Sequence, residues 1–319
     1  MKILDIIKNI VKKEDEKLNF NKLVKEWLEI KKISIKESTY CNYVYSINNY
    51  ILPEFENIEI EKLQNYNFSQ FTNKLIEKYS SKTTRDILCI LKSILAYGNE
   101  EYNCNFKLKK IKSPKLIQEK VEILSNREKG KLENACIKEN TLKSFGILIC
   151  LNTGLRIGEI CALKWENINL DKRMLYVKKT LQRVYKDKEK GTKVIIDVPK
   201  TISSIRAIPI SNKLYEILKP IKKNYKDEDF FLTGKTEKYI EPRNYQKYFK
   251  QKLKQCRIKP YKFHTLRHTC ANNCLEVGMD IKNLSEMLGH SSVEITLNKY
   301  IHSNYKIQKK YLEKLWKSR

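Results

Sequence analysis

The segment "LKSFGILICLNTG" at 142–154 constrains this chain more than any other. Its spacing predicts a helix that is apolar on nearly every face, hence buried, and Gly154 stands where a helix-ending glycine belongs. Its apolar run, "FGILICL", is far too short to cross a bilayer. The chain therefore needs a globular body around this helix. At 319 residues it also exceeds one comfortable core, so two domains are expected. Hydrophobic residues at 41%, charged residues at 32% and a mean hydropathy of −0.57 fit a globular protein that is neither disordered nor membrane-bound.

Upstream, the pattern is helical throughout. "NFNKLVKEWLEIKKI" (19–33) opens on Asn19 as a cap, and "IKESTYCNYVYSINNYILPEF" follows with Pro53 as its stop. "NFSQFTNKLIEKY" (67–79) and "SSKTTRDILCILKSILAYGNEE" (80–101) complete four amphipathic helices. Residues 107–121 lose that periodicity and gather lysines around Pro114, as a linker would. The expected division is 1–112 as a helical domain, 113–121 as a basic linker and 122–319 as a second domain. Within the second, "ILSNREKGKLENAC" opens as a capped helix. "RMLYVKKTLQRVY", "KVIIDVPK" and "IRAIPI" predict a three-stranded antiparallel sheet. Helices are then expected over 211–222, 243–256, 265–277, 281–288 and 293–303. A last segment places Ile307, Tyr311, Leu315 and Trp316 along one face. The fold class is mainly α with a small antiparallel β-sheet. The N-terminus shows no signal-peptide pattern, and nine cysteines without a C-x-x-C pair read as thiols in a reducing cytoplasm.

Charge is the first functional clue. Lys and Arg number 64 against 37 acids, a net charge of +27. Such an excess points to a polyanion, with nucleic acid foremost. It is uneven: residues 1–112 carry 20 basic and 15 acidic residues, and 113–319 carry 44 and 22. Lys82, Thr83 and Arg85 crowd the start of the fourth helix, where they could grip a phosphate or simply be solvated. Lys112 and Lys115 lie on the basic linker and are further candidates for DNA contact.

All four histidines fall between 264 and 302. The pair in "HTLRH" has the i, i+4 spacing of a helical zinc site. Yet Thr265 stands where a catalytic glutamate is expected, and Arg267 would set a permanent cation beside the metal. No metal is expected. The i, i+3 pair His264 and Arg267 shares a face in the first helical turn, where imidazole, guanidinium and helix dipole together suit a phosphate. His268 is expected to face elsewhere. "NTGLRIGE" places Arg156 just past Gly154, and "MLGHSSVEITLNKYIH" exposes His290 after Gly289 and carries Tyr300 on a new helix.

In order, "TGLRIGE", "HTLRHT", "LGHSS" and "TLNKYIH" resemble the signature of the tyrosine recombinases, the phage-integrase and Xer-like family. The likeness covers about 120–303, and the first four helices resemble that family's core-binding domain. It implies a site-specific recombinase that cleaves and rejoins double-stranded DNA through a 3′-phosphotyrosine. Tyr300 would be the nucleophile. Arg156 and Arg267 would stabilise the phosphate oxygens, His264 would accept a proton and His290 donate a hydrogen bond. Lys200 in "VPKTISSIRAIPI" matches the lysine that protonates the leaving 5′-oxygen, with Lys193 on the same hairpin as the alternative. Glu159 either orients Arg156 or is a solvated helix glutamate.

The resemblance also implies chemistry without ATP, metal or other cofactor, and a homotetramer on specific DNA sites that is monomeric when free. DNA-bending or directionality factors are conceivable accessories, and no membrane partner is expected. The C-terminal helix would dock on a neighbouring protomer or fold back on its own domain. The expected setting is a bacterial cytoplasm, on the nucleoid. The sequence is most like integrases of phages and conjugative elements of low-GC bacteria. An Xer-like dimer resolvase, a type IB topoisomerase and a non-catalytic DNA-binding protein on the same fold remain alternatives.

Overall fold

A computed structural model describes residues 18–116, 121–187, 191–198, 204–300 and 313. The chain divides into two compact units, one within Met1–Gln118 and Val184–Thr192, the other within Glu119–Arg183 and Lys193–Arg319.

The first unit is helical. α1 (Phe20–Ser34) starts where Asn19 Oδ1 accepts the Lys22 N–H at 2.9 Å, and it buries Phe20, Leu23, Val24 and Trp27. α2 (Glu37–Ser46) runs through a π turn, Ile47–Ile51, into α3 (Leu52–Phe55). Pro53 was expected to stop this segment. It instead occupies the first turn of α3, where a missing N–H leaves no bond unmade, and the wider π turn absorbs the mismatch ahead of it. The short α4 (Ile60–Gln64) precedes α5 (Phe68–Lys78) and α6 (Ser81–Tyr102). Its single turn is too brief to leave a periodic signal. Phe55, Phe68, Phe71, Leu88 and Leu91 are among the residues that fill the core between these helices.

In the second unit α7 (Asn126–Glu139) carries a full capping box, with Ser125 and Glu128 satisfying each other's backbone N–H groups. α8 (Leu142–Thr153) is buried along almost its whole length, as its composition demands, and ends at Gly154 with φ +67°. α9 (Ile157–Ala162) follows at once. The strand-rich region then departs from expectation. "RMLYVKKTLQRVY" breaks at Lys178–Lys179 into β2 (Met174–Val177) and β3 (Thr180–Asp187). β2 is the centre of an antiparallel sheet between β1 (Ile168–Asn169) and β5 (Arg206–Pro209), whereas β3 pairs with β4 (Gly191–Asp197) in a separate two-stranded ribbon. One pattern of alternation served two sheets because pairing partners, not propensity, decide where a strand stops.

The remaining helices are α10 (Asn212–Lys222), α11 (Pro242–Gln255), α12 (His264–Glu276), α13 (Ile281–Leu288) and α14 (Val293–Tyr300). α12 packs along α8, α11 against α9, and α13 against both α12 and β5. Among the described residues no helix is long and apolar enough to cross a membrane.

Candidate active site

Three chain segments converge around the end of α8. Gly154 and Arg156 form the turn from α8 to α9, the first turn of α12 carries His264 and Arg267, and Gly289 and His290 form the turn after α13. Helix C-termini expose carbonyl groups that no later residue of the helix satisfies, and arginine side chains satisfy them here. Arg267, 1% exposed, donates from Nη1 to the Gly154 carbonyl at 2.9 Å. Arg156 donates from Nη2 to the Gly289 carbonyl at 2.9 Å. Each link joins segments more than a hundred residues apart in sequence, so the turns are fixed by the same cations that line the site.

Arg156 is also the N-cap of α9, and Glu159 is its partner twice. Glu159 Oε2 accepts the Arg156 backbone N–H and Oε1 accepts Nη1, both at 2.8 Å. Glu159 is itself buried, and its second partner is Arg206 on β5, which donates Nη1 to Oε1 and Nη2 to Oε2, both at 3.0 Å. Burial alone would raise the Glu159 carboxyl. The Arg206 hydrogen bonds and charge, with those of Arg156, outweigh it and hold the group below the usual carboxylate range. The Arg156 side chain stays 35% exposed, whereas Arg206 is 5% exposed at its side chain.

Arg206 was not singled out by sequence, although a signal was there. Alternation along "IRAIPI" puts Arg206 on the same face as the buried Ile208, and an arginine on an inward face needs a partner. Thr296 was missed too: it is fully buried on α14, and its hydroxyl lies 2.8 Å from His290 Nδ1. The His290 N–H reaches back to Ser285 O at 3.1 Å, which fixes the turn.

His264 is exposed at the start of α12. His268 does not face elsewhere. One helical turn on, its ring meets that of His264 edge to face, with centroids 4.5 Å apart at 86°. Arg267, between them in sequence, is buried. Among the described residues no three His, Cys, Asp or Glu are gathered in a group that could hold a metal.

Tyr300 closes α14, one helix beyond the His290 turn, and its side chain lies outside the described residues. Lys200, Tyr305 and the face of Ile307, Tyr311, Leu315 and Trp316 also lie outside them, while Lys193 is half-buried on β4. Elsewhere, Lys82 and Arg85 are exposed on the first turns of α6. Thr83 is engaged with its cap: Ser80 Oγ accepts the Thr83 N–H at 3.2 Å and lies 3.0 Å from its hydroxyl. Lys112 and Lys115 are exposed.

Comparison with known proteins bears on the chain as a whole. The sequence profile of the phage integrase family matches residues 117–306, and that of the phage integrase N-terminal SAM-like domain matches 19–76. The chain belongs to the phage integrase family. It is a tyrosine recombinase, 31% identical to the XerC-like tyrosine recombinase of Caldanaerobacter subterraneus subsp. tengcongensis over 94% of this chain and 83% of that one. It is 25% identical to the ICEBs1 integrase of Bacillus subtilis over 95% of this chain and 84% of that one. Its fold matches the Tn1549 transposon integrase in complex with transposon right end DNA, with a TM-score of 0.72 at 21% identity, covering 93% and 99% of the two chains. A helical N-terminal domain followed by a mixed catalytic domain is thus this recombinase's architecture.

Proposed function

We propose that this recombinase integrates and excises a mobile genetic element, cleaving specific double-stranded DNA sites through a covalent tyrosine intermediate. The observation that carries the reading is the mutual bracing of its cations. Arg267 holds the Gly154 turn and Arg156 holds the Gly289 turn, so two guanidiniums and two histidine-bearing segments converge on one place.

The roles follow from the chemistry. A phosphodiester under attack gathers negative charge on its non-bridging oxygens, and Arg156 and Arg267 are the preorganised counter-charge. Tyr300 Oη attacks phosphorus, the bond to the 5′-oxygen breaks, and the phosphate stays on the tyrosine. A free phenol has a pKa near ~10, so its proton needs an acceptor as the bond forms, and His264 takes it. His290 donates a hydrogen bond to the phosphate, and Lys200 or Lys193 returns a proton to the leaving 5′-oxygen. Rejoining is the same transfer reversed. The phosphotyrosine stores the bond energy, so the cycle needs no ATP and no metal cofactor.

Exchange between two duplexes needs one active site for each strand cut, so the working assembly on DNA is a homotetramer built from free monomers, with DNA-bending or directionality proteins as possible additions. Lys82, Thr83, Arg85, Lys112 and Lys115 contribute backbone contacts to DNA. The division at 1–112, 113–121 and 122–319 assigns core binding to the first segment and cutting to the last. The free cysteines and the DNA substrate suit a bacterial cytoplasm.

A suicide DNA substrate carrying the element's native ends tests the reading. Wild type should yield a denaturation-resistant adduct, and Tyr300→Phe should yield none while still binding DNA. Adduct persisting in Tyr300→Phe would move the nucleophile to Tyr305, and no wild-type adduct on any native end would overturn the assignment. Binding should weaken steeply with salt, and chelator should leave cleavage unchanged. The XerC-like relative favours a second reading, dimer resolution. An attachment site beside the gene at the edge of an inserted element would exclude it.

A further inference from the structure

We propose that Arg206 is a positioning residue for strand cleavage, one that holds Arg156 in orientation and leaves the cluster net positive by sharing the charge of Glu159. The inference rests on the reading of this site as a phosphodiester-transfer centre. Both oxygens of Glu159 are shared: Oε1 lies 2.8 Å from Arg156 Nη1 and 3.0 Å from Arg206 Nη1, and Oε2 lies 2.8 Å from the Arg156 backbone N and 3.0 Å from Arg206 Nη2. With Glu159 alone as its partner, Arg156 would belong to a neutral ion pair, a poor counter-charge for a phosphate. With Arg206 behind the carboxylate, the triad carries a net positive charge, and Arg156 is its more exposed member. The buried member therefore sets the potential, and the exposed one presents it.

Arg206 has a second hold on the site. Its Nε donates to the Met287 carbonyl at 2.6 Å, and Nη1 also reaches the Ser204 carbonyl at 3.1 Å. Met287 lies two residues before Gly289, whose carbonyl takes Arg156 Nη2. Two arginines joined through one carboxylate thus grip the last turn of α13, and this grip sets where His290 begins. A planar fork meets these acceptors together. A lysine ammonium on a flexible stem keeps the charge but cannot address a bidentate carboxylate and a lateral carbonyl in one geometry.

The test compares wild type, Arg206→Lys and the double variant Glu159→Gln/Arg206→Gln, the last removing both buried charges so that neither is left unpaired. Each is measured for thermal melting, DNA affinity and single-turnover cleavage of the suicide substrate. Arg206→Lys should keep its fold and its DNA affinity yet cleave about a hundredfold more slowly, because a small misplacement of a charge-stabilising group acts on the rate rather than on binding. The double variant should also fold and cleave slowly. Wild-type cleavage by either variant would overturn the proposal, as would a loss confined to melting temperature.

If wild type itself makes no adduct, the phosphodiester reading fails, and the clamp is judged by a readout that needs no chemistry. The side-chain ¹⁵N–¹H resonances of the Arg156 guanidinium should be resolved in wild type and motionally averaged in Arg206→Lys. Identical spectra would overturn the clamp on their own.

Discussion

The two units solve the problem of folding in different ways. Among the described residues, the first unit buries only Thr72 and Thr84 as polar side chains, and Thr72 returns its hydroxyl to the Phe68 carbonyl one turn back. Its core is apolar, its charges are outside, and capped helices meeting through Phe, Leu and Ile suffice to hold it. The second unit buries Glu159, Arg267 and Lys252, together with the Arg206 side chain, each with a partner. Removing an ion from water costs several kcal/mol, and pairing returns only part of it, so stability alone does not call for such groups. Lys252 pairs with Glu139 away from the site, whereas Glu159, Arg206 and Arg267 gather around the ends of α8 and α13, where held cations rather than packing govern the interior.

Breaking one partner should separate the two units most sharply. Glu159→Gln is expected to destabilise the second unit by roughly 3 kcal/mol at neutral pH, because two close cations lose their shared anion. The effect has a defined pH dependence. The folded carboxyl lies below its ordinary value, so its stabilisation is complete above the unfolded pKa of about 4.3 and is lost as pH falls through the folded value. Urea unfolding carried from neutral pH to well below the unfolded carboxylate value of about 4.3 should show the gap between wild type and variant closing at the acid end. A constant gap would mean that the carboxylate charge is irrelevant.

Two glycines sharpen the same contrast. Gly154→Ala places a Cβ at φ +67° and 2.6 Å from Leu288 Cδ2, beside Arg267 Cγ at 3.7 Å. About 2–3 kcal/mol of strain and overlap is expected, with cleavage impaired because Arg267 hangs on the Gly154 carbonyl. Gly98→Ala meets Phe106 Cε2 at 2.9 Å and Leu23 Cδ1 at 3.1 Å, but in ordinary helical backbone. Alanine's better helix propensity offsets part of the overlap, leaving a net loss of about 1 kcal/mol. Cleavage by the folded fraction should not change. Equal catalytic losses at both positions would erase the distinction between the units.

The smallest expected effect is at a cap. Ser80→Ala removes the acceptor for the Thr83 N–H and should cost about 1 kcal/mol of first-unit stability, measured by thermal melting, with an unchanged cleavage rate at saturating DNA. A lowered saturating rate would instead mean that the α6 terminus reports to the catalytic turns.

Much of this was legible in the chain because it is local. Asn19 announces its helix as a cap, "ILSNREKGKLENAC" reads as a capped start, Gly154 and Gly289 end their helices, and the apolar run 142–153 could only be interior. The boxes bearing Arg156, His264, Arg267 and His290 were visible as motifs, and the fold brings their segments together. What sequence did not convey was pairing across distance. The break at Lys178–Lys179 depends on β2 finding β5 and β3 finding β4, which no window of residues contains. Arg206 was hidden for the same reason, since its partners Glu159 and Met287 lie 47 and 81 positions away. The His264–His268 contact was missed through a choice of period: one turn of helix stacks i on i+4 as readily as i on i+3.

The bond between His290 Nδ1 and the buried hydroxyl of Thr296 has one more consequence. A hydroxyl is amphoteric: by turning its proton it accepts from a protonated ring nitrogen or donates to a bare one. A carboxylate in that place would have favoured the imidazolium, and an amide N–H would have enforced one tautomer. Thr296 does neither, so this one contact can be kept whichever way the ring nitrogen is used.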